Sequence, residues 1–172
     1  MTPVLLTERL LLRPFEHEDA QALAVLLDHA DVATGVCATP VPFTPLHAAA
    51  RILMMRAAEG RGDLAWAVED GSGELVGLVT LDRRDGQALQ LGVAVARPRW
   101  GQGIATEALE AALDWVSRAR PGATVCSEVF ADTGRVHGLL ARLGFRPIGG
   151  SRRFSLARQR SDAVQLWQRQ AA

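Results

Sequence analysis

Two glycines and an alanine strip the segment Trp100-Gly101-Gln102-Gly103-Ile104-Ala105-Thr106-Glu107 of side chains, where the strand-like run Leu91-Gly92-Val93-Ala94-Val95 gives way to a helical one. A strand-turn-helix passage of this kind leaves successive backbone N–H groups unpaired at the positive end of a helix, a binding site for an anion such as pyrophosphate. Arg97 and Arg99 stand at its entrance and would add charge-assisted donors. Spacing argues against two better-known phosphate loops. The triphosphate loop needs Gly-Lys-Ser/Thr and the chain has no lysine; the dinucleotide loop needs a glycine where Thr106 stands. A plain helix-entry turn that needs glycine for its dihedrals is the alternative reading of the same residues.

The elements that must hold this turn follow from periodicity and breakers. Residues 8–15 read as a first strand closed by Pro14, and residues 19–28 as a helix with Ala20, Leu23, Ala24, Leu26 and Leu27 on one face. Gly35, Pro40, Pro42 and Pro45 make residues 31–45 a loop. Thr44-Pro45 has the form of an N-cap followed by proline at the first helical position, opening a second helix through about residue 59. Residues 64–69 and 74–82 are strands joined by Asp70-Gly71-Ser72-Gly73, an antiparallel hairpin, and residues 88–95 are the next strand. The helix over 103–119 carries the stripe Ala108, Leu109, Ala112, Leu113 and Val116. Strands at 124–130, 145–148 and 163–167 and a helix at 134–143 complete the order. The pattern implies one α+β domain over residues 1–172, a mixed sheet with one strand-loop-helix crossover at its centre.

Composition narrows the classes of function. A chain of 172 residues with 48% hydrophobic and 22% charged residues is ordinary for a single soluble domain. No apolar run approaches the roughly 20 residues of a membrane span, and residues 1–13 lack the order of a signal peptide. Nineteen basic against nineteen acidic residues offer no global attraction for phosphate backbones, so nucleic acid is not an expected partner. Cys37 and Cys126 have no ligand-like spacing and fit reduced, structural thiols in a cytoplasm; no metal is expected. All nineteen cations are arginine, and lysine, asparagine and tyrosine are absent; these types share AT-rich codons, so a GC-rich coding sequence accounts for them.

The wider pattern resembles motif A of the GNAT acyltransferase superfamily, in particular the relatives of the ribosomal-protein N-terminal acetyltransferases RimJ and RimL. Thr7-Glu8-Arg9-Leu10-Leu11-Leu12-Arg13-Pro14 looks like that subfamily's opening strand, residues 100–109 like its cofactor turn, and Leu143-Gly144-Phe145 like its late helix-to-strand junction. The resemblance implies the GNAT fold, a mixed and mostly antiparallel sheet of six to seven strands flanked by about four helices. It implies acetyl-CoA as cosubstrate and transfer to a primary amine by direct attack in a ternary complex. Val93, Ala94 and Val95 would pair with the pantetheine arm. The amides of Gly101, Gln102, Gly103, Ile104, Ala105 and Thr106 would hold the pyrophosphate, with Arg99, Trp100 and Thr133 beside it. The acyl group would lie between splayed strands near residues 90–93 and Phe130.

Several positions depart from that pattern. The subfamily's Asn and Ser near the start of the penultimate helix are Thr133 and Val136, and Leu140 stands where many members carry a tyrosine acid. A Glu often present on the fourth strand is Gln90, which does not accept protons at neutral pH. Glu128 and His137 are the remaining titratable candidates, read otherwise as a solvated carboxylate and a surface histidine. Without them, positioning a neutral amine against the thioester would carry most of the acceleration. Expected partners are acetyl-CoA and an amine acceptor, a peptide N-terminus or a small molecule, with a homodimer as an option. The acceptor would meet residues 31–45, the second helix and the hairpin around 151–161, where Arg152, Arg153, Arg158 and Arg160 form a basic loop. A non-catalytic acyl-CoA-binding module of the same fold is the competing function.

Overall fold

The computed structural model describes residues 1–36, 38–84 and 88–171, so Cys37 lies outside the described residues. One sheet contains β1 (Leu5–Leu6), β2 (Leu10–Pro14), β3 (Leu64–Asp70), β4 (Leu75–Arg83), β5 (Ala88–Val95), β6 (Thr124–Phe130), β7 (Arg146–Ser155) and β8 (Arg160–Gln170). Its order is β1-β2-β3-β4-β5-β6-β8-β7. Every neighbouring pair is antiparallel except β5 with β6, which are joined through the central helical crossover. The helices are α1 (Ala20–Asp28), α2 (Ala30–Ala33), α3 (Pro45–Ala58), α4 (Ile104–Ala119) and α5 (Gly134–Arg142).

The eight strands and five α-helices exceed the six to seven strands and about four helices expected, for local reasons. The Thr7 hydroxyl and amide both bond to Leu10, turning the chain so that Leu5 and Leu6 fold back on β2 as a separate strand. The short α2 lies at the start of the stretch expected to be loop. His29 Nδ1 accepts from the Asp31 amide at 3.3 Å and caps it, while Gly35 and the prolines act only afterwards. The last two strands are about twice as long as expected, because the exposed, arginine-rich face of β7 carries little apolar alternation to read.

Apolar residues on each face of the sheet bury a separate helical layer. Leu89, Leu91, Val79, Leu81 and Trp66 pack against Ile104, Leu109, Leu113 and Val116 of α4 and Leu139 and Leu140 of α5. On the opposite face Ala65, Ala67, Leu78 and Ala94 meet Leu23 and Leu27 of α1 and Ala48 and Ile52 of α3. From Leu78 onward, alternation along β4 and β5 sends Val79, Leu81, Leu89 and Leu91 toward α4 and Leu78 and Ala94 toward α1 and α3. Thr44 caps α3 as its sequence indicates, accepting from the His47 amide while His47 Nδ1 accepts from the Thr44 amide. Thr44→Ala is expected to cost about 1 kcal/mol; an unchanged urea midpoint would deny the cap its role. Among the described residues no helix is long and apolar enough to cross a membrane.

Candidate active site

The parallel pair at the centre is only three residues deep: Ala88 faces Thr124, Leu89 faces Val125, Gln90 faces Cys126, and then the strands part. A single tie lies beyond that point, the Ser127 hydroxyl donating to the Leu91 carbonyl at 3.2 Å. Ladder alternation decides which groups of β5 line the fork. Ala96 N–H donates to Val76 on the β4 side, so even positions face β4 while Leu91, Val93 and Val95 present N–H and C=O to the opening. The Leu91 carbonyl is used by Ser127 and the Val95 carbonyl by the Trp100 indole, at 2.7 Å. Among the described residues, Val93 has no ladder partner on β6, so its N–H and C=O face the fork. Gly92 is required by its cross-strand partner on β4, because a Cβ there would come within 2.6 Å of Thr80 Oγ1.

The fork leads into the glycine turn. Gly101 and Gly103 adopt φ of 78° and 79°, the left-handed region that favours glycine. Gly103 occupies the N-cap of α4 with no side chain to satisfy the helix amides. Among the described residues, the N–H groups of Gly101, Gln102, Gly103, Ile104, Ala105 and Thr106 have no protein acceptor. Six consecutive free amides at the positive end of a sixteen-residue helix are a strong anion site.

The turn is fastened from outside by residues whose role was not legible in sequence. Glu107 accepts from the Thr7 hydroxyl at 2.6 Å, the Arg9 amide at 3.0 Å and Arg9 Nε at 2.7 Å, and Arg9 also donates to the Gln102 carbonyl. Burial alone would raise the Glu107 carboxyl, but these donors outweigh it and hold the group below its ordinary value. Two motifs ninety-eight residues apart in sequence, around Arg9 and around Glu107, are thus one clamp. Inside the fork's foot, Trp100 is covered by the guanidinium groups of Arg97 and Arg135, at 4.7 and 4.8 Å from its ring centroid. Arg135, on α5, was not singled out from the sequence. Arg99 was, as a cofactor contact; its guanidinium pairs with Asp70 at 2.8 Å and Glu74 at 2.5 Å in the β3–β4 turn.

The two titratable candidates stand on the far bank and both are occupied. Glu128, on β6, accepts from Arg153 Nε and a terminal nitrogen, each at 2.7 Å, a forked ion pair that leaves neither oxygen free of a cation. Trp167 donates its indole N–H to His137 Nδ1 at 3.2 Å; an indole can only donate, so Nδ1 is the unprotonated nitrogen. His137 Nε2 then carries the proton and donates it to the Phe130 carbonyl at 3.0 Å. No lone pair of this ring is left for a substrate amine. The same carbonyl accepts from the Thr133 amide and, at 2.5 Å, from the Thr133 hydroxyl, which keeps only its lone pairs for another group.

The basic loop at the second hairpin is largely neutralised. Arg158 pairs with Asp132 and Asp162, donates to the Thr34 carbonyl and lies 4.1 Å from the Phe130 ring centroid, while Arg160 pairs with Asp162. Burial and the Glu128 charge push the Cys126 thiol up, which keeps it protonated. A groove of about 570 Å³ between the first strand and α4 reaches the turn at Glu107 and does not include the fork. Among the described residues no group of three His, Cys, Asp or Glu could hold a metal ion.

Comparison with known proteins agrees with this geometry. The chain superposes on a GNAT-family acetyltransferase from Bacillus anthracis with a TM-score of 0.84 at 18% identity, covering 98% of this chain and 99% of that one. Against the ribosomal-protein-S5-alanine acetyltransferase from Vibrio fischeri the TM-score is 0.81 at 17% identity, covering 98% and 97%. Against Mycobacterium smegmatis RimJ in complex with CoA-disulfide it is 0.80 at 24% identity, covering 94% and 82%. At these identities the likeness shows the fold. No curated protein matches the sequence significantly. The model of the acetyltransferase (GNAT) domain matches residues 9–146, most of the chain, and with the open fork and the capless α4 it establishes that the chain belongs to the GNAT acetyltransferase family.

Proposed function

We propose that the protein transfers an acetyl group from acetyl-CoA to a primary amine, a protein N-terminus or a small-molecule amine, by direct attack in a ternary complex. The observation that carries this reading is the open edge of the fork at Val93 together with the six amides of the turn, which have no protein acceptor among the described residues. In this reading the pantetheine arm lies along Val93, Ala94 and Val95, and the pyrophosphate rests on Gly101, Gln102, Gly103, Ile104, Ala105 and Thr106. Trp100 and Thr133 flank it. Arg99 acts as a strut to the neighbouring turn, and Arg97 and Arg135 supply positive charge beside Trp100. The thioester then lies where β5 and β6 part, just beyond the Gln90–Cys126 pair.

The amine enters from the side of α1 and α3. There the loop after α2 is pinned by Arg51, which donates to the Ala38 carbonyl at 2.7 Å and to Thr39 Oγ1 at 3.3 Å. Asp28, at the end of α1, accepts from the Phe43 amide. Acetyl-CoA is an intracellular thioester, so the same reading assigns the activity to the cytoplasm.

Acetyl-CoA is expected to raise the melting temperature, by about 2.7 kcal/mol of native-state stabilisation at one hundred times its dissociation constant. Free thiol should then appear when peptides beginning with Ala, Ser or Met, or polyamines, are added. No thermal shift would refute cofactor binding altogether. The engagement of Glu128 and His137 favours one competing reading, a non-catalytic acyl-CoA module. A thermal shift with no thiol release across the amines would establish that alternative.

A further inference from the structure

With Gln90 neutral and Glu128 and His137 engaged, the fork still has one carboxyl beside it. Asp82 on β4 is the cross-strand partner of Gln90, and Gln90 is the partner of Cys126 on β6, itself opposite Gln168 on β8. Paired residues put their side chains on the same face, so these four form one transverse row on the face that bears α1 and α3. It is the last row before β5 and β6 part. Strands lie about 4.8 Å apart, so Asp82 stands roughly one and a half spacings, about 7 Å, across from the midline between β5 and β6 at the row where the opening begins. That distance suits one bridging water between a carboxylate and an incoming nitrogen.

The surroundings of Asp82 leave it available. It is half-buried and, among the described residues, forms no hydrogen bond or ion pair. The charged groups that bear on it are Asp63, ahead of β3, and Arg84, just past the end of β4. Asp63 is itself used by the Arg83 amide and by Arg61 at 3.5 Å. From β5 and β6 only neutral Gln90 and the protonated Cys126 thiol lie in its row. Burial first, and then the like charge of Asp63, push the Asp82 carboxyl above its ordinary value against the opposing pull of Arg84. A half-buried carboxyl with no partner destabilises the fold, and general bases are tuned upward in this way.

We propose that Asp82 is the proton acceptor of the transfer, reached through a water that spans the Gln90 row. The assignment rests on the acetyl-transfer reading above. The acceptor ammonium gives one proton through the water to the Asp82 carboxylate, which later releases it to solvent. The freed nitrogen pair forms the C–N bond to the thioester carbon. The C–S bond then breaks with its electron pair on sulfur, and the surplus proton remaining on nitrogen passes to that thiolate, leaving amide and free CoA thiol.

The test compares wild type, Asp82→Asn and Asp82→Asn/Gln90→Glu with acetyl-CoA and the most active amine from the peptide and polyamine series. Asp82→Asn is expected to lower kcat about 100-fold, leave the acetyl-CoA thermal shift intact and raise the melting temperature of the unliganded chain. The base must be ionised, so wild-type kcat falls as pH drops through the raised Asp82 value; the variant loses that acid limb and follows the amine alone. Gln90→Glu places a carboxyl one strand nearer the fork and should restore about tenfold of the lost rate. A variant with wild-type kcat and an unchanged acid limb overturns the assignment, as does one whose lost rate tracks a lost thermal shift. Wild-type silence with every amine overturns the acetyl-transfer reading itself, a result distinct from either.

Discussion

Gly103→Val is expected to abolish the thermal shift that the proposed acetyl-CoA binding would give and to weaken that binding about 100-fold, about 2.7 kcal/mol. Two independent conflicts meet at this position. A β-branched residue at φ 79° is a steric outlier, and a Cβ would stand 3.2 Å from an Arg9 terminal nitrogen. Arg9 cannot simply withdraw, because it is bound to Glu107 and to the Gln102 carbonyl. The turn itself must therefore shift, and the free amides leave their common focus. Gly101→Ala has the strain without the contact, since nothing lies within 4 Å of its Cβ, and is expected to lose less affinity. Gly71→Val, in the β3–β4 turn with open space around it, should bind as wild type does. Calorimetric titration with acetyl-CoA measures all three; equal affinities for wild type and Gly103→Val would remove the turn from the binding site.

Arg13→Met is expected to lose about 3–5 kcal/mol of stability, the cost of leaving buried carboxylates without their cation. Arg13 is forked between Asp19, at 2.7 and 2.8 Å, and Glu69, at 2.5 and 2.8 Å, with side-chain exposures of only 19%, 9% and 17%. It ties the end of β2 to β3 and to the first turn before α1, where Asp19 also accepts the Glu16 amide. Burial would raise the Asp19 carboxyl, but Arg13 and the Glu16 amide together hold it below its ordinary value. A depressed carboxyl stabilises the fold above its unfolded pKa, near 4, and that stability is lost as pH falls through the folded value. The difference between wild type and Arg13→Met should therefore narrow as urea melts are moved from pH 6 to pH 3. A difference that stays constant over that range would show that packing, not charge, sets the loss. Arg13→Met/Glu69→Gln should recover part of it, because one unpaired charge is removed with its partner.

Regular elements with strong apolar periodicity were legible in the chain. The bounds of β5 and β6 coincide with those expected, as does the capped start of α3, because caps, breakers and alternation act over a few residues. β1 and α2 were not, since each depends on one side chain satisfying a nearby backbone group, Thr7 in one case and His29 in the other. The full length of β7 and β8 was hidden because β7 is exposed along nearly its whole length and its pairing with β8 is held by the backbone ladder rather than by an apolar face.

The glycine turn, the helix it opens and the strand leading into it were legible in the chain alone, because local dihedral demands and a 3.6-residue stripe specify them without reference to the rest of it. What the surrounding side chains are free to do depends on contacts distant in the chain. Arg99, Glu128 and His137 were candidates in the sequence, and each is bonded to a partner at least 25 residues away in sequence. Asp82 drew no attention in sequence, and it acquires its place beside the fork from a register that joins it to Gln90 across a loop. Residue type announces which groups can titrate or bind; sheet register and burial, both non-local, decide which of them remain available.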